Sequence, residues 1–257
     1  MKQKSLNPIK TLIVVAVIIL IWAMLSYSGV FSEYVFPGPA KVWKAFLTML
    51  SSGELAKNML ASLLRVLAGF GISFVLAFLL GVIACLCPGA EPYYRPVLEF
   101  MRHVPPMSLI PLLILWFGIG EPAKIIVIVL TAFFPIFLNT ESGLSNCDKK
   151  LLEVGQMLHM TKPQTFFQIR LPAALPAILV GMQVGLGYSW RAIVGAEMIA
   201  AVSGMGYMIL DAQTTYRSDK VIVGIIIIGL MGLLTDKVFQ IVIDSILRRR
   251  EIGTSGK

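Results

Sequence analysis

Three charged side chains lie within long apolar stretches of this sequence: Arg102, Arg191 and Glu197. A charged side chain at the centre of a membrane costs about 2.5 to 3.5 kcal/mol on insertion scales, so it tends to face a cavity, a ligand or an opposite charge. Trp190 and Glu197, seven positions apart, share one face of a helix, whereas Arg191 and Glu197 do not pair on their own helix. Arg191 could attract an anion or bond a carboxylate or carbonyl group of a neighbouring helix, and the sequence leaves both open.

Residue sets typical of catalysis or metal binding are missing from the sequence. His103 and His159 stand 56 positions apart, and the three cysteines, Cys85, Cys87 and Cys147, lack the second pair of a zinc site. The tail GTSGK does not have the spacing of a phosphate-binding loop, and neither a nucleophile elbow nor an H-E-x-x-H pair occurs. We therefore expect no metal, no bound cofactor, no ATP hydrolysis and no other enzymatic activity in this chain.

The elements that position these side chains are predicted to be membrane helices. The chain of 257 residues is 57% hydrophobic and 14% charged, with a mean hydropathy of +0.82, which is outside the range of soluble domains. The composition predicts an all-α polytopic membrane protein that forms one domain over residues 1–257. The net charge of +8 is explained by Lys and Arg at helix ends, so we do not expect nucleic acid as a partner.

Six apolar stretches approach the roughly 20 residues that a membrane-spanning helix needs. We predict spans at about 11–27, 66–87, 97–117, 123–139, 177–201 and 221–247. The basic start and long apolar run of the first stretch favour an uncleaved helix over a signal peptide. Residues 29–64 would form an outer loop with an amphipathic helix at the interface.

The distribution of Lys and Arg predicts the orientation of the chain. With the N-terminus inside, thirteen basic residues fall in inner segments and six in outer ones, which favours a cytoplasmic location for both termini. The inner residues are Lys2, Lys4, Lys10, Arg95, Lys149, Lys150, Lys162, Arg170, Lys237, Arg248, Arg249, Arg250 and Lys257, and the outer ones are Lys41, Lys44, Lys57, Lys124, Arg217 and Lys220.

Two predicted spans carry internal signals. In the third, Pro105 and Pro106 remove backbone donors next to Arg102, so this helix is either kinked for packing or lines a pathway. Arg102 and Arg65 lie nearer to span ends and could reach the lipid headgroups. In the fifth, Gly181, Gly185 and Ser189 form a small-residue ridge, which permits close packing within the chain or against a second copy.

Residues 145–172 interrupt the apolar pattern and are predicted to form two short helices. Ser145 with Asp148, and Thr161 with Gln164, each fit a capping box. We expect the second helix to end at Leu171-Pro172, with the next span starting near Pro176. Such an amphipathic pair could lie on the membrane, pack beneath its own bundle or dock into a groove of another protein.

The stretch EVGQMLHMTKPQTFFQIRLPAALP resembles the EAA signature of permease subunits of bacterial ATP-binding cassette (ABC) importers. The blocks ASLLRVLAGF, RHVPPMSLIPLLILWFGIGEPAKI and GLGYSWRAIVGAEMIAAVSGMGY resemble the nitrate, sulfonate and taurine permease group, so the likeness runs from about residue 62 to 246. His159 occupies the position where the family usually has Gly, so we expect the turn between the two helices to be formed differently.

The resemblance implies a type I importer permease fold of about six spans, with residues 145–172 as a cytoplasmic coupling segment. The residues it assigns to docking of an ATPase are Glu153, Val154, Gly155, Leu158, His159, Phe166, Phe167, Leu171 and Pro172. It further implies two ATPase subunits that use ATP and Mg, a second permease copy, an extracytoplasmic substrate-binding protein and a location in the bacterial inner membrane.

The resemblance implies a small solute such as a sulfonate, taurine or nitrate, and Arg191, in the middle of the fifth predicted span, favours an anionic group on it. Candidate residues of the translocation path are Arg191, Trp190, Glu197, Arg102, Pro105 and Pro106. A permease of the same group for a vitamin or pyrimidine precursor is the first alternative. An ion-coupled carrier would need intramembrane carboxylates and inverted repeats, and a membrane-embedded enzyme would need a convergent catalytic set.

Overall fold

A computed structural model describes residues 8–30 and 32–255, which form helices without any strand. Lys2, Lys4 and Lys257, which entered the charge count, lie outside the described residues. The α-helices are α1 Pro8–Tyr27, α2 Pro39–Ser51, α3 Glu54–Leu86, α4 Glu91–His103, α5 Ile110–Phe117, α6 Glu121–Ser145, α7 Lys149–Met157, α8 Lys162–Thr165, α9 Leu171–Ala200, α10 Met205–Thr214 and α11 Ser218–Ser255. The prediction of an all-α membrane protein is confirmed.

The described residues contain four helices that are long and apolar enough to cross a membrane: 54–86, 121–145, 162–200 and 218–248. A fifth span is reached only if the bent pair 88–103 and 106–117 counts as one. The first predicted span is the 20-residue helix α1, of which Leu12–Tyr27 counts as a shorter apolar helix among the described residues. The predicted count of six is therefore not confirmed.

The third predicted span is interrupted at the prolines that predicted an irregular helix. Helix α4 ends at His103, a short 3-10 turn covers Pro106–Leu109, and the two parts meet at an angle of 86°. Pro105 is extended, with φ −62° and ψ 121°, because two successive prolines supply no N–H donors and disfavour the α conformation in the residue before each of them.

The centre of the bundle is formed by α3, α6 and α9, with α3 and α6 parallel and α9 antiparallel to both. The ridge of Gly181 and Gly185 packs within the chain: a Cβ on Gly181 would lie 2.6 Å from Cβ of Asn139, and one on Gly185 would lie 3.0 Å from Ile136. Gly69 and Gly81 give α3 a second ridge of this kind against α6. These small residues let the helix backbones approach closely.

The two ends of the bundle differ in what they carry. At the near end, defined by residues 145–172, α3 and α6 end and α9 begins, and Sγ of Cys85 lies 3.8 Å from the Leu144 carbonyl oxygen. At the far end, α3 and α6 begin, α9 ends and α10 packs on α3 and α9. The amphipathic helix α2 also lies there, with Val42, Ala45 and Met49 buried, as predicted.

Helix α3 begins at Glu54 and not near Val66, so the predicted outer loop 29–64 contains the first turns of a 33-residue helix. Lys220 Nζ lies 2.8 Å from Glu54 Oε2, which ties the start of α11 to the start of α3. The hydroxyl of Ser218 donates to the Tyr34 carbonyl at 2.6 Å and holds the α1–α2 connection to the same place. The C-terminal end of α1 and the N-terminal end of α11 therefore lie together at the far end.

Candidate functional site

The first part of the near-end segment is helix α7, which is capped by Asp148. The Asp148 side chain accepts from the Lys150 backbone N–H at 2.9 Å. Ser145 is the last residue of α6, so the predicted capping box between Ser145 and Asp148 is wrong. Gly155 is the buried residue of α7, and a Cβ at this position would lie 2.7 Å from Cδ1 of Ile169. Helix α7 therefore packs closely against the turn that contains Ile169.

His159 ends α7 in a left-handed conformation, with φ +53°. The His159 N–H donates to the Gln156 carbonyl and the Met160 N–H to the Gly155 carbonyl, each at 3.0 Å, which are the two hydrogen bonds of a Schellman motif. Its ring Nδ1 lies 3.0 Å from the Met157 carbonyl oxygen. The expectation of a different turn is wrong, since His159 adopts the backbone that Gly usually supplies.

The second part begins as predicted and ends differently. Thr161 and Gln164 form a capping box, with the Thr161 N–H donating to Gln164 Oε1 at 2.8 Å. Leu171-Pro172 does not end this helix, because a π-helical turn over Phe166–Arg170 joins it directly to α9. The π turn precedes Pro172, whose ring and missing N–H are incompatible with regular α-helical bonding, and the helix continues through Pro176 to Ala200.

The near-end segment exposes several apolar side chains together with an acidic group, Glu153, and two basic ones on the same helix, Lys149 and Lys150. Glu153 is exposed and forms no ion pair or hydrogen bond with a described residue. Large apolar side chains surround it in the sequence and are 46% to 69% exposed: Leu151, Val154, Leu158 and Phe167. We call this set the near-end patch. An apolar surface of this kind around a free carboxylate is typical of a protein interface.

The predicted docking residues divide between this patch and the interior. Phe166 is buried and packs with Cys85, Leu144 and Ala174, whereas Phe167 is 65% exposed and meets Phe166 edge to face at 5.2 Å. Leu171 packs against the same interior cluster. Phe166 and Leu171 thus fix the segment to the bundle, and Phe167 remains available to a partner.

The far end holds an ion cluster centred on Arg65, in which Lys124 and Glu197 are also buried and Glu121 is 55% exposed. All five N–H donors of its guanidinium are used: two on Glu121 at 2.7 and 2.8 Å, one on Glu197 at 2.7 Å, and two on the carbonyl and hydroxyl oxygens of Ser203 at 2.7 and 2.8 Å. Lys124 Nζ lies 2.7 Å from Glu121. The two cations and two carboxylates balance, which is the condition for charges to persist in an apolar bundle.

Glu197 joins this cluster to the turn that follows α9. Its carboxylate is fully buried and accepts from Arg65, from the Ser62 hydroxyl at 2.8 Å and from the Gly206 N–H at 2.9 Å. Gly204, with φ +112°, passes so close to this carboxylate that a Cβ would clash, and its N–H donates to Asn58 Oδ1 at 2.8 Å. The cluster therefore holds α3, α6, α9 and α10 together.

Glu197, a predicted residue of the path, and Arg65, which the sequence suggested could reach the headgroups, lie together in this cluster. Arg65 is 7% exposed, so the expectation that it reaches headgroups is wrong. Trp190 is also buried, in the core with Ile193 and Met205. The spacing of Glu121 and Lys124, three apart at a helix start, could have signalled an ion pair, but its link to Arg65 crosses 56 positions of sequence.

Arg191 and the break between α4 and α5 lie on a different surface. Arg191 is exposed, its guanidinium carbon lies 5.5 Å from the centroid of the Tyr188 ring, and it forms no ion pair among the described residues. Met107, in the 3-10 turn, packs on Gly195, one helical turn from Arg191. Arg102 and Pro105 are exposed on the same bent pair, and Pro106 is half-buried.

Comparisons with known proteins show the family. Residues 90–248 match the family described as "Binding-protein-dependent transport system inner membrane component". The chain belongs to this family. A Bacillus subtilis protein named as an aliphatic sulfonates transport permease is 39% identical to this permease over 248 residues, which cover 96% of this chain and 90% of the relative.

Two further relatives carry other substrate names. The taurine transport system permease protein of Escherichia coli is 30% identical and covers 86% of this permease and 82% of its own length. The nitrate import permease protein of Synechocystis is 31% identical, and the match covers 89% of this permease and 86% of the relative. The chain is therefore an ABC importer permease of the sulfonate, taurine and nitrate group, which is a non-catalytic membrane subunit. This decides against the ion-coupled carrier and the membrane-embedded enzyme.

Solved structures confirm the fold of the permease. Two crystal forms of the inward-facing MetNI methionine ABC transporter match with TM-scores of 0.52 and 0.54 at 20% and 18% identity. The matches cover 69% and 72% of this chain and 93% and 96% of the solved chains. The helical architecture is that of an importer permease.

Proposed function

We propose that two copies of this permease form the translocation path for a small anionic solute, which a substrate-binding protein delivers and a separate ATPase drives. The observation that carries the proposal is the near-end patch, in which Glu153 is exposed and unpaired among apolar side chains. An ABC permease has no phosphate-binding loop of its own, so two ATPase subunits would bind ATP and Mg and transmit closure through this surface. No cofactor is assigned to the permease itself.

The near-end patch suits a protein partner better than a lipid surface. Membrane-adsorbed helices combine an apolar face with a strongly basic one. Here α7 carries only two basic residues, Lys149 and Lys150, and its exposed Glu153 would repel anionic headgroups and attract a basic side chain of a partner. The patch is supported from beneath by Gly155 on Ile169, so it presents a fixed shape to that partner.

The two ends of the bundle support the proposed orientation. All six basic residues that the sequence assigns to the outside belong to helices or turns at the far end, where Lys124 and Lys220 bond acidic groups. The near end carries Lys149, Lys150 and Lys162. By the positive-inside rule the near end would face the cytoplasm and the ATPase, with both termini on that side in a multi-pass inner-membrane protein, while the far end would receive the substrate-binding protein.

Charge reversal at Glu153 tests the docking surface. In the complex reconstituted with its ATPase, we expect Glu153→Arg, or Phe167→Asp, to abolish solute-stimulated ATP hydrolysis because each places an unfavourable charge in the interface. Asp244→Arg is the matched control, since Asp244 is an exposed acid on α11 outside the near-end segment. If the solute stimulates ATP hydrolysis as strongly in Glu153→Arg and Phe167→Asp as in the wild type, the docking proposal is wrong.

The path is proposed to run along the exposed face of α9 that carries Arg191. The Tyr188 ring holds the guanidinium at this surface without neutralising its charge. The break at Pro105-Pro106 lies one turn away through Met107 and Gly195, and irregular backbone at membrane depth is tolerated where it lines a cavity. A cation beside such a cavity favours an anionic group on the solute, and Arg102 would add a second charge nearer the near end.

Uptake measurements test the path and the solute class together. Arg191→Ala is expected to abolish uptake of a radiolabelled sulfonate, taurine or nitrate, and Arg191→Lys to retain part of it, because the charge remains while the planar donor group is lost. Arg248→Ala, at an exposed position near the end of α11, is the control. Uptake at the wild-type rate in both Arg191 variants would overturn the assignment of an anionic solute. So would a wild-type permease whose uptake of the labelled solute is inhibited only by an uncharged vitamin or pyrimidine precursor.

A further inference from the structure

A cavity of about 430 Å³ at the near end lies between the end of α3 and the near-end segment, and it is separate from the near-end patch. The polar part of its lining is basic or neutral and comes from Gln156, Lys162, Thr165 and Arg170. None of the described residues that line it is acidic. The remaining wall is apolar, so the cavity combines cationic groups with a surface suited to a hydrocarbon chain.

Arg170 is the unusual member of this lining. Its guanidinium is half-buried, and its one contact among the described residues is Nη1 to the Cys85 sulfur at 3.2 Å. By contrast, Arg65, Arg95 and Arg217 each bond at least one carboxylate. A thiol is a weak acceptor, so four N–H donors of Arg170 are left to a ligand in the cavity. Lys162 adds three further donors around the same space, whereas the Thr165 hydroxyl donates to the Thr161 carbonyl at 3.1 Å.

We propose that this cavity binds a phosphate-bearing anion, supplied either by the headgroup of an anionic phospholipid or by free phosphate. Two oxygens of a phosphate group can accept parallel hydrogen bonds from the planar guanidinium of Arg170, and the Lys162 ammonium supplies a second positive charge. The cavity lies where the apolar span of α3 ends, at the depth at which headgroups meet a bilayer-spanning helix. The occupant would brace α7 against the end of α3, since both elements line the site.

Cys85 provides a local reporter of occupancy, because it lines the cavity and is 9% exposed. In a background with Cys87→Ser and Cys147→Ser, the rate of Cys85 alkylation would be measured on the full chain in nanodiscs. One series uses phosphatidylcholine with increasing phosphatidylglycerol, and a second uses phosphatidylcholine alone with added inorganic phosphate. We expect an anion in the cavity to slow alkylation severalfold.

Two pairs of variants separate the site from general charge attraction. Lys162→Gln with Arg170→Gln removes both basic groups of the cavity and is expected to weaken binding roughly 25-fold, at about a factor of five per basic group. Lys149→Gln with Lys150→Gln removes the same charge from exposed positions of α7 that do not line the cavity. Lys162→Gln alone keeps the Arg170–Cys85 contact, so intrinsic changes in thiol reactivity are distinguished from loss of binding.

Each outcome decides the proposal. Slowing by phosphatidylglycerol that is lost only in the cavity variants supports a lipid headgroup, and slowing by inorganic phosphate with the same pattern supports a free anion. If neither anion slows alkylation in the wild type, or if the slowing persists in the cavity variants, the proposal is wrong. The result does not depend on ATPase docking, because no partner is present.

Discussion

Neutralising Glu197 is the sharpest test of how the far end is held together. Glu197→Gln preserves the size of the side chain and removes its charge. Both carboxylate oxygens are acceptors in the structure, Oε1 from Arg65 and Oε2 from the Gly206 N–H. An amide offers one oxygen and one NH₂ group, so in either orientation a donor faces a donor.

The expected loss follows from burial. Glu197 is fully buried and Arg65 is 7% exposed, so a donor that loses its acceptor there cannot reach water without local opening, even though Arg65 keeps its two bonds to Glu121. Leaving a buried donor without its acceptor costs about 1–3 kcal/mol, which lowers the ratio of folded to unfolded protein about fivefold to 150-fold. The exposed pair of Glu99 and Arg95 is the contrast, since such pairs contribute about 0.3–0.5 kcal/mol.

The measurement is equilibrium unfolding of the purified chain in mixed micelles with increasing SDS, with Glu99→Gln as the control. The double variant Arg65→Met with Glu197→Met should be less damaged than the sum of the two single variants, because no unpaired charge remains between them. A free energy of unfolding for Glu197→Gln within about 0.5 kcal/mol of wild type would refute the reasoning. Strictly additive effects in the double variant would refute it as well.

Three further changes probe helix ends and packing. His159→Gly should stabilise the turn after α7 by about 1 kcal/mol, because Gly carries no left-handed penalty, and slower hydrogen exchange of the Met160 amide would show it. Thr161→Ala should weaken the capping box by about 1 kcal/mol and speed exchange of the Gln164 amide, with no change in α9. Gly185→Leu should destabilise the α6–α9 contact by about 1–3 kcal/mol in SDS unfolding, whereas Gly187→Leu, which meets nothing within 4 Å, should not.

The membrane class and most helix positions could be predicted because they depend on local composition. An apolar run of the required length can be recognised from the run itself, and the Thr161–Gln164 capping box is a pattern of four residues. The helix boundaries that were predicted wrongly depend on three-dimensional geometry that the local sequence pattern does not contain. A proline pair predicts an interruption but not an angle of 86°, and Pro172 suggests a helix end although a π turn carries the helix past it.

The candidate site was predictable where the family motif is contiguous and not where it is assembled by packing. Glu153 and Phe167 are exposed in a surface segment that the resemblance had already marked. Arg65 looked like an end-of-span cation, because its partners Glu121 and Glu197 are brought to it only by the parallel and antiparallel packing of α6 and α9. A buried ion pair across 132 positions leaves no mark in local periodicity.

The continuous helix from Lys162 to Ala200 changes what the near-end patch can do to the rest of the chain. Phe167 and Glu197 lie 30 positions apart on it, roughly 45 Å at 1.5 Å per residue. A loop between the two would absorb a displacement of the patch, whereas a packed helix transmits it as a rigid-body shift, with the π turn as the one irregular step. Because Glu197 binds the far end of this helix to α3 and α10, a force on the patch would reach the far end through α9. The variants at the two ends should therefore fail differently: Glu153→Arg leaves a normally stable bundle that no longer responds to an ATPase, and Glu197→Gln leaves the docking surface intact on a bundle whose far end has loosened.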